Sequence, residues 1–71
     1  MDNNRLIKLK ALQAFLNIGH EDINTAKSLS IYFLGESMGC GCKYHKVRSQ
    51  LNQLWERELK KELENYETAM D

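Results

Sequence analysis

The sequence contains no proline, and its four glycines, Gly19, Gly35, Gly39 and Gly41, act as punctuation between three long intervals. Nothing in those intervals forbids helix. No charge of either sign is in excess: ten Lys and Arg balance ten Asp and Glu. That balance excludes a protein whose whole surface coats nucleic acid or anionic membrane, but it leaves room for a local patch. No apolar run approaches the ~20 residues that span a bilayer, so no membrane partner is expected. The opening Met1-Asp2-Asn3-Asn4-Arg5 lacks the basic-then-apolar pattern of a signal peptide, and the expected location is intracellular. Cysteine is scarce, and the two present stand one residue apart. They cannot staple distant segments, which excludes a disulfide scaffold.

What is present reads as an all-α fold of three helices in one domain, residues 1–71, with the last few residues frayed. The first helix spans about 4–18. Leu6, Leu9 and Leu16 line one stripe, and Ile7, Ala11, Phe15 and Ile18 line another beside it. Asn3 or Asn4 suits its N-terminal cap, and Gly19 suits its C-terminal one. The second helix spans about 24–34, with Asp22 or Asn24 placed to accept from free amides at its start. The segment from Leu29 to Leu34 also has strand-like content, but a lone strand would leave its backbone unpaired.

The third helix, about 42–67, is the longest. Tyr44, Val47, Leu51, Leu54, Trp55, Leu59, Leu63, Tyr66 and Met70 step along it by three or four residues. At ~39 Å against ~22 Å for the first helix, it outruns its partners. Leu59, Leu63, Tyr66 and Met70 are therefore expected to form an unmatched apolar stripe, a docking surface for a larger protein or for a second copy of the chain. The charges of this helix run against its dipole. Lys43, Lys46 and Arg48 crowd the positive end, and Glu62, Glu64, Glu67 and Asp71 crowd the negative end. An antiparallel neighbour, or an outside anion at the basic end, would relieve both.

The segment from Gly39 to Lys46 holds the densest chemistry, and its readings compete. Cys40, Cys42 and His45 are zinc-ligand types, although the cysteine spacing is tight and Glu36 or a second chain would have to supply the fourth ligand. His20 is expected at the far end of an up-down bundle, ~15 Å away. A thiol at a helix start beside Lys and His is nucleophilic, yet the chain offers no cleft or orienting third group for catalysis. No catalytic residue and no enzyme activity are expected, and no cofactor is required apart from the zinc option. A third reading takes Lys43, Lys46 and Arg48 as phosphate contacts, with Gln50 and Asn52, helped by Ser49 and Gln53, facing base edges. The Gly35-to-Gly41 connection is about twice the length that a helix-turn-helix uses. The plainest reading is a glycine turn whose cysteines cap the bundle as small apolar residues.

Tyr32-Phe33-Leu34-Gly35 followed by Cys40-Gly41-Cys42-Lys43 is similar to short uncharacterised helical proteins encoded by bacteriophages. The resemblance covers about a third of the chain and implies an accessory or virion-associated role, in the host cytoplasm or the virion. It assigns no residue. The sequence thus points first to a non-enzymatic interaction module docking through its third helix on a protein partner or on itself. Nucleic-acid binding by the basic half of that helix is the second reading, and a zinc-stabilised domain the third.

Overall fold

The structure, a computed structural model, describes residues 3–69, which form three helices and no strand. Helix α1 is Asn3–Asn17. Helix α2 covers residues 23–34, an α-helix over Ile23–Leu29 that widens into a π-turn over Ser30–Leu34. Helix α3 covers residues 41–69: a 3-10 turn at Gly41–Lys43, then α-helix over Tyr44–Leu54 and Lys60–Ala69 on either side of a π-turn at Trp55–Leu59. At ~1.5 Å per residue, α3 is a rod of ~43 Å, and it sets the molecule's longest extent of 41 Å. Met70 and Asp71, and with them the expected frayed end, lie outside the described residues.

Local sequence explains the ends of α2. The Asp22 carboxylate accepts from the Thr25 backbone N–H at 3.1 Å and from the Thr25 hydroxyl at 2.7 Å, an N-cap of the expected kind. Both bonds favour the charged form, so the Asp22 carboxyl sits below its ordinary range. At the other end Gly35 adopts a left-handed φ of 69° while its N–H reaches back to the Ser30 carbonyl. Buried Ser30 spends its own hydroxyl on the Lys27 carbonyl at 2.9 Å.

The core side of α3 is the row Tyr44, Val47, Leu51, Trp55, Leu59, Leu63, all buried. Steps of four residues drift by ~40° each on a helix of 3.6 residues per turn. The π-turn at Trp55–Leu59 takes in one extra residue, which cancels much of that drift and returns Leu63 to the core side. Leu9, Leu12 and Phe15 of α1 and Ala26 and Leu29 of α2 complete the cluster.

The arrangement corrects two expectations. The chain is not an up-down bundle. A Cβ on Gly41, at the start of α3, would lie 3.5 Å from Ile23 at the start of α2. Further along, Leu34 shares a cleft with Gln50 and Leu54. Helices α2 and α3 therefore run the same way, and the connection travels back along α2. Its residues 35–40, at ~3.3 Å each, span the ~18 Å length of α2. Left-handed Gly35 and Gly39 make the bends, and Met38, 2 % exposed, plugs the core midway. Consequently His20 lies beside the start of α3 and not at the far end, its carbonyl 3.5 Å from the Tyr44 hydroxyl.

The second correction concerns the stripe. Leu59 and Leu63 are each 2 % exposed, and Tyr66 is half-buried against the same cluster. Helix α1 runs antiparallel to α3 and reaches Glu62 with its Arg5, so it covers the second half of α3 while α2 packs on the first. The leucines have an intramolecular partner. Met70, the fourth member of the stripe, lies outside the described residues. Among the described residues the exposed large apolar side chains are Ile7 and Ile31, one on α1 and one on α2.

Candidate functional site: the exposed flank of the first half of α3

The inverted charges of α3 find their counterparts on α1. At the basic end, Arg48 donates to the Leu16 and Ile18 carbonyls, both at 3.1 Å, and to the Tyr44 hydroxyl at 3.0 Å. Its guanidinium also lies 5.0 Å from the Phe15 ring centre, and Phe15 meets Tyr44 edge to face. Arg48 is thus the C-terminal cap of α1, a cation on the negative end of a helix dipole. Gly19, expected in that role, does not adopt the left-handed φ that such a cap needs.

At the acidic end, Glu62 accepts from Arg5 Nε at 2.7 Å and Nη2 at 2.9 Å. The bidentate hydrogen bonding holds the Glu62 carboxyl below its ordinary range and keeps Arg5 protonated above its own. Arg5 also lies against the rings of Phe33 at 5.2 Å and Tyr32 at 5.7 Å, which draws the end of α2 into the same contact.

The residues expected to act together on nucleic acid are therefore split three ways. Arg48 is spent on α1. Asn52 faces the α1 side, in a cleft with Leu16 and Trp55. Lys43, Lys46 and Gln50 stay together, exposed along one flank of a cleft bounded by Leu34, Glu36 and Met38. Gln53 and Arg57 continue that line. Carboxylates first appear on α3 at Glu56, so its first fifteen residues carry none. No side chain caps its start, although the Lys43 N–H already donates to the Cys40 carbonyl at 3.3 Å.

The remaining candidates are also separated. Cys40 and Cys42 are bonded to each other and exposed, so they do not cap the bundle; Met38 does that. His45 Nε2 lies 3.2 Å from Glu21 Oε1, both well exposed. Among the described residues no group of three or more His, Cys, Asp or Glu is placed to hold a metal ion. No helix among them is long and apolar enough to cross a membrane. Met38, the π-turns and the capping role of Arg48 were missed by sequence reading. Of these only Arg48 left a signal, a basic residue seven beyond the helix start with no acidic partner within reach on its own helix. No protein-family description, curated protein or solved structure matches the chain.

Proposed function

We propose that the chain is a small non-enzymatic binding module, that its working surface is the exposed flank of the first half of α3 beside the end of α2, and that its ligand is duplex DNA. One observation carries the reading: Lys43, Lys46, Gln50 and Gln53 are all exposed on a stretch of rigid helix that has no carboxylate. A helix of ~10–12 Å diameter fits the ~12 Å major groove of B-form DNA, and the lysine flank of α3 is bordered by Leu34 at the end of α2 and by Glu36. Lysine ammoniums at the helix start meet phosphate, while glutamine amides further along can pair with adenine edges. Docking of a protein through the α3 leucines loses its basis, because Leu59 and Leu63 are spent in the core.

Removing Arg48 from the phosphate-contact set leaves two lysines, and two neutralised phosphates give a log-log salt slope of about −1.8. Fluorescence anisotropy with a labelled 20-base-pair duplex, from low to moderate salt, measures it. A slope near that value supports the proposal. Absence of binding at low salt refutes it.

A further inference from the structure

The bond between Cys40 and Cys42 spans a single residue, Gly41, and so ties no two helices together. A loop that short removes little freedom from the unfolded chain compared with one joining distant segments. The order of this segment comes from elsewhere. Met38 and Tyr44, each 2 % exposed, anchor it on both sides. The Cys40 N–H donates to the Met38 carbonyl at 3.0 Å, and the Lys43 N–H donates to the Cys40 carbonyl at 3.3 Å. The two cysteine Cα atoms lie 5.4 Å apart. Both cysteines are exposed, Lys43 directly follows Cys42, and residues 37–55 contain no carboxylate. Glu36 lines the neighbouring cleft, and Ile23, next to Asp22, lies against Gly41.

From this juxtaposition we propose that Cys40 and Cys42 form a reversible thiol–disulfide exchange site that takes electrons from a dithiol. One thiolate of the incoming dithiol attacks the Cys40 sulfur and forms a mixed disulfide. The Cys40–Cys42 bond breaks, and its electron pair leaves on Cys42, which sits in the first turn of α3. The second thiolate of the dithiol then attacks its own sulfur in the mixed disulfide. That closes the disulfide of the reductant and releases Cys40 as thiolate. Two electrons pass to the pair, and each thiolate takes up a proton according to pH. The proposal does not rest on DNA binding, although Lys43 adjoins the cysteine pair.

The test equilibrates the oxidised chain in mixtures of reduced and oxidised dithiothreitol, counts thiols by alkylation and mass, and follows helicity by circular dichroism. Both thiols should appear together in one two-electron transition, with helicity unchanged, and the bond should re-form when reductant is removed. Cys42→Ser, treated with oxidised glutathione, should give a mixed disulfide at Cys40. Loss of helix on reduction would make the bond structural and overturn the proposal. So would resistance to excess dithiothreitol, re-oxidation to linked dimers, or uptake of added zinc by the reduced chain in place of re-oxidation.

Discussion

The two halves of α3 are made of different material. The first half carries lysines, an arginine and amides with no carboxylate, whereas the second carries Glu56, Glu58, Glu62, Glu64 and Glu67 among its bases. Each half opposes the dipole of its own helix, and each is matched by α1. The basic half meets carbonyls at the end of α1, and the acidic half meets Arg5 near its beginning. A charge pattern that is unfavourable on an isolated helix thus becomes an address for an antiparallel neighbour in the same chain. The halves differ in what they leave over: Lys43, Lys46, Gln50 and Gln53 remain free of such contacts on the first.

The strongest way to break this comparison is to remove apolar contacts from the second half. Leu59→Ala should cost about 3 kcal/mol, since it empties a fully packed site, and urea unfolding measures it. Leu63→Glu should unfold the monomer; a variant that stayed folded and merely changed its association state would restore the docking stripe. Arg48→Ala should come next, at about 2 kcal/mol, because it strips a charged donor from the Leu16 and Ile18 carbonyls. Arg48→Lys should recover only part of that, since a lysine cannot reproduce the fork.

Removing the pair at the acidic end should cost less. Arg5 and Glu62 side chains are about a third exposed, so Arg5→Ala should lose about 1 kcal/mol or less. Its pH dependence has a definite sign. The folded carboxyl of Glu62 titrates below the ordinary 4.5, so its contribution is complete above that pH and is lost as pH falls through the lower folded value. Glu62→Gln should flatten the acid limb of the stability curve, measured by thermal melts between neutral and acid pH. An unchanged acid limb would remove the pair from the account.

Much of the architecture was legible in the residues. Three helices, the Asp22 cap and the core row of α3 follow from period and capping chemistry. The relative direction of α2 and α3 did not, because it depends on whether residues 35–40 turn sharply or run back. Only the burial of Met38 and the bends at Gly35 and Gly39 decide that. The same ambiguity put His20 at the wrong end. The leucine stripe was misjudged because helix lengths alone do not say how far α1 is offset along α3. For the candidate site, the lysines and glutamines were visible in sequence, but the loss of Arg48 to a backbone cap was not. Such a cap joins residues about thirty apart and leaves no local pattern.

The most direct test compares the two halves on one ligand. Lys46→Ala and Lys61→Ala each remove one exposed cation, the first from the carboxylate-free half and the second from the acidic half. Salt-dependent anisotropy with the same duplex should show the slope fall by about one unit for Lys46→Ala and stay unchanged for Lys61→Ala. Equal losses from both would mean diffuse attraction and not a site, and would contradict the account.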